Sequence, residues 1–264
     1  MPTTSFGYRM NIAHVMQQEL QNYLLRNNYN SFDLKAILFD MDGVLYNSMS
    51  AHAKSWHQTM EEFGVKNSVR EEYFLHEGRT GKSTINIIFN REFGREATLD
   101  EIQQIYERKS ELFTQNNCGS IIPDAREVLE LTKSFGLLPV LVTGSGQPSL
   151  LDRLDCNFPN TFTRNTMVTA FDVKIGKPHP EPFLMGLEKG GNLRPNQAIA
   201  IENAPLGTES AHKAGIFVIA VNTGPLPDKV LKEAGADVVL GSMTELKEQF
   251  SELIEMINES KKKG

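Results

Sequence analysis

Two aspartates that follow an apolar run are the first residues in the chain that could do chemistry. Asp40 and Asp42 come directly after Ala36–Phe39, whose profile predicts a strand buried on both faces that ends in a loop. With one residue between them, both carboxylates can point into the same crevice. The pair suits phosphoryl transfer, because Asp40 can attack phosphorus and form an aspartyl-phosphate while Asp42 protonates the leaving group and later activates water.

Other polar residues follow the later apolar segments, where a phosphate could be held. Thr143, Gly144 and Ser145 come after the run LLPVLV and offer a hydroxyl and backbone N–H groups to an anion. Lys177 lies in IGKPHPEP, a proline-rich loop that can fix one cation. A phosphate ester repels an attacking carboxylate unless positive charge neutralises the phosphoryl oxygens. We therefore predict that Thr143 and Lys177 assist catalysis and that Gly144 and Ser145 contact substrate.

The oxygen-rich composition of this set also predicts a metal. Glu202 and Asn203 follow the apolar run AIAI, just before a proline suited to starting a helix. Together with Asp40 and Asp42 they offer two or three oxygen ligands, without a cysteine or a cluster of histidines. Such ligands favour Mg²⁺ over zinc.

The elements that must position these residues alternate between strands and helices. Short apolar runs and helical segments follow one another through residues 34–47 and 123–264, which predicts a parallel sheet covered on both faces. Residues 48–122 show helical periodicity without a convincing strand, and we interpret them as an all-helical insertion after the first strand. Residues 1–33 form an extension with one predicted helix from about Ile12 to Leu25. The predicted fold class is α/β, and ligands of such folds bind beyond the carboxyl ends of the strands.

With these motifs in order, the sequence resembles the haloacid dehalogenase superfamily, in its helical-cap branch similar to β-phosphoglucomutase. The segments that carry the resemblance are FDMDGVLYNS, LVTGS, GKPHPEPF and IENAPLGTESAHKAGI. The resemblance implies a Rossmann-like core, a mobile cap formed by residues 48–122, and Mg²⁺ held by Asp40, the backbone carbonyl of Asp42 and the position of Asn203. The family commonly has Asp at that last position, so Asn203 should weaken the metal unless another carboxylate compensates.

The cap loop LHEGRTGKST offers such a carboxylate. Its end resembles a P-loop, but His76 stands where a Walker A motif requires glycine. We predict instead that cap closure brings Glu77 to the metal, where it leaves room for a small leaving group such as phosphate. The loop resembles that of the superfamily's inorganic pyrophosphatases, so the leading hypothesis is hydrolysis of pyrophosphate. Further substrate contacts are expected from four side chains: Arg79, Lys82, His52 and Asn47.

Several alternatives stay open at this level. The enzyme could be a sugar-phosphate phosphatase or a β-phosphoglucomutase, or a catalytically idle relative that binds a ligand. Asn203 could simply cap a helix, Glu77 could be an exposed glutamate, and His52 could be a satisfied histidine of the cap.

Composition limits the cellular context. The formal net charge of −6 argues against nonspecific nucleic-acid or anionic-membrane binding. The expected partner is a small phosphorylated substrate, and we expect a monomer. No apolar run reaches the length of a membrane span, and the N-terminal residues lack the apolar core of a secretion signal. Cys118 and Cys156 are the two cysteines and are predicted to be free thiols, as in a reducing compartment. We expect a cytoplasmic protein.

Overall fold

The computed structural model describes residues 3–116, 119–146 and 150–262, and its centre is a six-stranded parallel sheet. The spatial order of the strands is β3-β2-β1-β4-β5-β6. The strands are β1 (Ala36–Phe39), β2 (Leu138–Val142), β3 (Met167–Val168), β4 (Ala198–Glu202), β5 (Phe217–Val221) and β6 (Val238–Leu240). The order reverses direction beside β1, so the crevice where such folds bind ligands lies above β1 and β4.

Helices connect these strands and cover the sheet. They are α1 (Thr3–Arg26), α2 (Met49–Glu62), α3 (Gly81–Phe93), α4 (Leu99–Asn116), α5 (Ala125–Ser134), α6 (Leu150–Asn157), α7 (Glu181–Lys189), α8 (Pro205–Lys213), α9 (Asp228–Glu233) and α10 (Met243–Lys262). Short 3₁₀ helices add Arg70–Phe74, Arg164–Thr166 and Pro195–Gln197. The sequence also predicts a helix over Pro148–Leu154, which is described from Leu150 onward, whereas Pro148 and Ser149 lie outside the described ranges. Among the described residues, no helix is both long and apolar enough to cross a membrane.

Both faces of the sheet are buried, as the continuous apolar runs predict. Along β1, Ile37 and Phe39 belong to one hydrophobic cluster, and Ala36 and Leu38 belong to a second cluster on the other face. This alternation follows from the two-residue period of a strand. The prediction of a Rossmann-like α/β sheet is therefore confirmed.

The segment between β1 and β2 forms a separate helical layer, which confirms the predicted inserted cap. Residues of α2, α3 and α4 share their own hydrophobic cluster, which includes Met60, Ile85 and Ile105. Within the described part of this segment, the secondary structure is helical apart from an isolated bridge of Ile121 with Tyr46. The domain boundaries at residues 47/48 and 122/123 stay predictions.

The chain enters and leaves the cap through two adjacent segments. Asn47 N–H donates to the carbonyl of Ser120 at 2.9 Å, and Ile122 N–H donates to the carbonyl of Leu45 at 3.0 Å. The two connections therefore run side by side as a short antiparallel pair.

The N-terminal helix and the cysteines were also the subject of predictions. The N-terminal helix α1 is longer than predicted and packs on the sheet domain, where the Tyr23 hydroxyl donates to the carbonyl of Gly215 at 2.8 Å. Arg26 forms an ion pair with Asp237 at 2.6 Å. Cys156 is a free, exposed thiol, whereas Cys118 lies outside the described residues.

Candidate active site

Asp40 is held by a buried lysine at the end of β1. Its backbone N–H donates to the carbonyl of Ile201 at 3.0 Å, which fixes the residue at the carboxyl edge of β4. Lys177 Nζ donates to Asp40 Oδ1 at 2.5 Å, to Glu202 Oε1 at 2.6 Å and to the carbonyl of Val142 at 3.0 Å. Burial opposes the ammonium, but the two carboxylates outweigh it and raise the pKa of Lys177 above its usual range. The lysine is therefore a fixed cation beside Asp40.

The environment of Glu202 favours a role in holding Lys177 over the metal-ligand role that the sequence suggested. Its Oε1 accepts from Lys177, and its Oε2 accepts from the backbone N–H groups of Asn203 at 2.9 Å and Ala204 at 3.2 Å. Gly207 leaves space for this carboxylate, because a Cβ at that position would lie 1.8 Å from Glu202 Oε1. Both oxygens of Glu202 are thus already engaged.

Asp42 is connected to the cap through a chain of polar side chains. Its Oδ1 accepts a hydrogen bond from Ser48 and lies 3.2 Å from His52 Nε2. The other ring nitrogen of His52, Nδ1, lies 2.8 Å from Lys109 Nζ on α4. Burial and Lys109 lower the pKa of His52. A neutral His52 that accepts from Lys109 carries its proton on Nε2, the ring nitrogen nearer to Asp42.

The two aspartates differ in their ionisation. Burial, together with the nearby carboxylates of Glu202 and Asp42, outweighs Lys177 and raises the pKa of Asp40 to about 8. Burial also disfavours the charge on Asp42, but His52, Ser48 and Lys109 outweigh it and lower its pKa to about 2. The site therefore holds excess negative charge that a cation bound beside Asp40 would neutralise.

The loop after β2 provides donors on the other side of Asp40. Thr143 is buried, its N–H donates to the carbonyl of Val168 at 2.9 Å, and its Oγ1 accepts from Ser145 N–H at 3.0 Å. The Thr143 hydroxyl proton can therefore point toward a ligand. Gly144 lies against the cap, because a Cβ there would be 2.9 Å from the carbonyl oxygen of Gly78.

The cap loop closes over this edge of the core. Gly78 packs on Lys177, and Glu77 and Arg79 line a cavity of about 50 Å³ together with Asp40 and Asp42. Burial and the two aspartates raise the pKa of Glu77 well above its usual range. One water needs roughly 10–15 Å³ by the same measure, so the closed cavity has space for a few waters. Glu77 therefore faces the aspartates and is not an idle exposed glutamate.

The donors at this edge fit a hard cation. Both Oδ1 and Nδ2 of Asn203 are buried without a hydrogen-bond partner in the described structure, and the side chain lies against Gly43, where a Cβ would be 2.0 Å from Nδ2. A buried amide oxygen without a partner is costly unless a ligand satisfies it. Within the described ranges, no three His, Cys, Asp or Glu side chains are grouped to hold a metal alone. Bound Mg²⁺ would therefore need the Asn203 amide and a main-chain oxygen in addition to carboxylates.

Two of the predicted substrate contacts lie away from this cavity. Asn47 is exposed, and its backbone N–H is used in the connection to Ser120. Lys82, the second residue of α3, is also exposed and lines a different groove on the outer side of the cap loop. Neither side chain lines the cavity in this arrangement, so their roles as substrate contacts stay predictions. The other predicted residues, His52, Arg79 and Ser145, line the cavity.

Lys109 and Tyr106 are among the cap residues that line the cavity but were not predicted from the sequence. Lys109 is 5% exposed and lies on the same face of α4 as Ile105 and Phe113. A lysine within an apolar helical stripe was a usable signal, since lysine is rarely buried without a partner. Tyr106 packs on Gly81, where a Cβ would lie 2.3 Å from its ring.

The fold and this edge of the sheet define a capped, Rossmann-like hydrolase. A profile of the haloacid dehalogenase-like hydrolases matches residues 37–221, from β1 through β5 and including the cap. Because the match covers more than half of the chain, the protein belongs to the haloacid dehalogenase-like hydrolase family.

Named relatives are similar over most of their length. The chain is 30% identical to a phosphorylated carbohydrates phosphatase of Thermotoga maritima over 77% of this chain and 92% of the relative. It is also 30% identical to hexitol phosphatase A of Escherichia coli over 80% of this chain and 93% of the relative. A solved structure from Bacteroides vulgatus, assigned provisionally as a beta-phosphoglucomutase, has a TM-score of 0.89 and 53% identity, covering 92% of this chain and 98% of that one.

Proposed function

We propose that this protein is a Mg²⁺-dependent phosphatase that uses Asp40 as its nucleophile and acts on small phosphorylated sugars. The observation that carries the proposal is the contact of Lys177 Nζ with Asp40 Oδ1 at 2.5 Å, at the switch point of the sheet and beside Asp42. A buried carboxylate positioned by a fixed cation is suited to attack an anionic phosphorus centre.

In the first step, an oxygen of Asp40 forms a bond to phosphorus while the bond from phosphorus to the leaving oxygen breaks. Asp42 supplies the proton that the leaving oxygen requires. Its pKa of about 2 in the ligand-free site is raised when a phosphate dianion adds like charge beside it. Lys177 and the Thr143 hydroxyl stabilise the charge on the phosphoryl oxygens.

In the second step, Asp42 takes a proton from water, and the resulting hydroxyl oxygen attacks phosphorus. The bond between phosphorus and Asp40 breaks, which releases phosphate and restores the carboxylate. Mg²⁺, when bound by Asp40, Asn203 and main-chain oxygen, supplies positive charge that neutralises the transferring group. Hydrolases of this superfamily generally use Mg²⁺, and the unsatisfied Asn203 amide supports the same assignment here.

The relatives favour sugar phosphates over diphosphate, against the leading hypothesis from the sequence. The Thermotoga protein is named for phosphorylated carbohydrates and the Escherichia protein for hexitol phosphates. A substrate of that size requires the cap to open, because the closed cavity has a volume of about 50 Å³. The hinge formed by the two connecting segments is suited to such a movement.

Inorganic diphosphate is the second candidate, and one observation favours it. Glu77 shares the closed cavity with Asp40 and Asp42, so it fills space that an organic leaving group would occupy and adds a carboxylate at the metal edge. A diphosphate is small and brings its own negative charge, and Arg79 of the same loop could contact its leaving phosphate.

A phosphate-release panel separates these substrates. Sorbitol 6-phosphate, glucose 6-phosphate and diphosphate are each assayed with Mg²⁺ and with EDTA. We expect the sugar phosphates to have the higher kcat/KM, and we expect Asp40→Asn to lose at least about a thousandfold in rate. Formation of glucose 6-phosphate from β-glucose 1-phosphate is measured alongside, because it would indicate a mutase.

The outcomes divide clearly. Preference for diphosphate that Glu77→Gln reverses would favour the second candidate and refute the sugar-phosphate proposal. Equal rates for the wild type and Asp40→Asn would refute the nucleophile and indicate an idle, ligand-binding relative.

A further inference from the structure

A second groove lies on the outer side of the cap loop and is much wider than the closed cavity. It has a volume of about 670 Å³. One wall is a polar face of α3 formed by Ser83, Asn86 and Asn90, which are spaced so that they share one side of the helix. The opposite wall is the core loop from Lys174 to His179. The groove therefore runs along the seam between cap and core.

The charges that line this groove are mainly positive, although the whole chain has a formal net charge of −6. Arg79, Lys82, Lys174, Lys177 and Lys213 line it, whereas Glu96 is the carboxylate in its described lining. Lys177 is already paired with Asp40 and Glu202. Lys213 is paired with Glu209 at 2.5 Å. In the described parts of the chain, neither Lys82 nor Lys174 has an ion-pair partner within 4.0 Å, so their charges are available to a ligand.

Arg79 belongs to both spaces, since it lines the inner cavity as well as the groove. Its Nε is buried and has no hydrogen-bond partner among the described residues. Burial lowers the pKa of Arg79, because the guanidinium has lost water without gaining a carboxylate in contact. A buried donor on a cation is costly without an acceptor, and an oxyanion supplies acceptors in the geometry that a guanidinium prefers.

We propose that this groove is a binding site for the phosphate oxyanion of a small compound, separate from the site at Asp40. Lys82, Lys174 and Arg79 supply the positive charge, and the polar face of α3 supplies neutral hydrogen-bonding groups. The oxyanion is either free phosphate or the phosphate group of a sugar phosphate, since both present the same chemistry. Because Arg79 lines both spaces, a ligand bound in the groove lies beside the proposed hydrolytic site. Binding in the groove is a property additional to the proposed hydrolysis and does not depend on it.

The test measures binding of inorganic phosphate and of glucose 6-phosphate to the full chain by titration calorimetry in EDTA. Without Mg²⁺, the inner site lacks the cation that would hold a phosphate beside Asp40 and Asp42, so we expect the groove to be the site that remains. We expect one site per chain and an affinity about tenfold weaker in the double variant Lys82→Gln/Lys174→Gln. We also expect affinity to fall as ionic strength rises.

Lys54→Gln serves as the matched control, since it removes an exposed cation from α2 outside the groove. It should bind phosphate as the wild type does, and circular dichroism should show that all variants are folded. Tighter binding of phosphate than of the ester would assign the groove to product, and the reverse would assign it to substrate. An absence of binding in EDTA, or equal affinities for the wild type and the double variant, would overturn the proposal. If the protein with Mg²⁺ hydrolysed none of the panel substrates but still bound phosphate in EDTA, the catalytic proposal alone would be refuted.

Discussion

Gly207→Ala tests whether Glu202 is the residue that fixes Lys177. Gly207 lies in the first turn of α8, where intrinsic propensity alone favours alanine over glycine by about 1 kcal/mol. The structure predicts the opposite sign, because the new Cβ would be 1.8 Å from Glu202 Oε1 and would displace the carboxylate.

The magnitude follows from what the displaced carboxylate leaves behind. Glu202 would lose its contact with Lys177 at 2.6 Å and its two backbone N–H bonds. Breaking a buried ion pair on one side costs about 3–5 kcal/mol. After the gain in helix propensity, the net loss is about 2–4 kcal/mol, which corresponds to a decrease in Tm of about 4–16 °C.

Thermal unfolding followed by circular dichroism measures this loss, with Gly224→Ala as the control. No atom lies within 4 Å of a Cβ at Gly224, so the control should change the unfolding free energy by less than about 1 kcal/mol. The double variant Glu202→Ala/Gly207→Ala should be no less stable than Glu202→Ala, because the clash needs both groups. A Tm for Gly207→Ala equal to or above that of the wild type would refute the reasoning.

Three shorter predictions follow from other contacts. Because the pKa of Glu77 is raised, its ionisation destabilises the metal-free fold above pH 4.5. Glu77→Gln should therefore raise the Tm measured by scanning calorimetry in EDTA at pH 7, and the increase in Tm on adding Mg²⁺ should be smaller than in the wild type. Lys109→Met removes the partner of His52 Nδ1 at 2.8 Å and should lower kcat by about 10–100-fold with the fold intact. The pH dependence of kcat should change as well, and an unchanged profile would argue against a positioning role for Lys109. Arg26→Ala should destabilise the fold by about 1–2 kcal/mol in urea unfolding, whereas Lys229→Ala, which breaks an exposed pair, should stay within about 0.5 kcal/mol.

Much of the fold could be predicted because the apolar runs of β1, β4 and β5 are continuous and separated by helical segments. The chemistry at the strand ends followed from this, since residues after parallel strands meet at one edge. Asp40 and Thr143 could be predicted in this way, whereas Lys177 was indicated by its proline-rich loop.

The cap was harder to predict because its residues meet the core only through tertiary packing. Asn47 and Lys82 are close in sequence to residues of the cavity, yet the backbone at Asn47 and the start of α3 turn them away from it. Lys109 is 57 residues from its partner His52, and no local pattern records a contact between two cap helices. Substrate size depends on the same packing, so it could not be predicted from the loop sequence alone.

The adjacent connections to the cap suggest how the range of substrates could be changed. Asn47 N and Ser120 O are 2.9 Å apart, so the sheet domain presents two neighbouring chain ends to whatever is inserted there. A different insert, or a turn of a few residues, could join these ends without altering the path of β1 or β2. On the proposed mechanism, replacing the cap would therefore change which molecules reach Asp40 while leaving Asp40 and Lys177 in place.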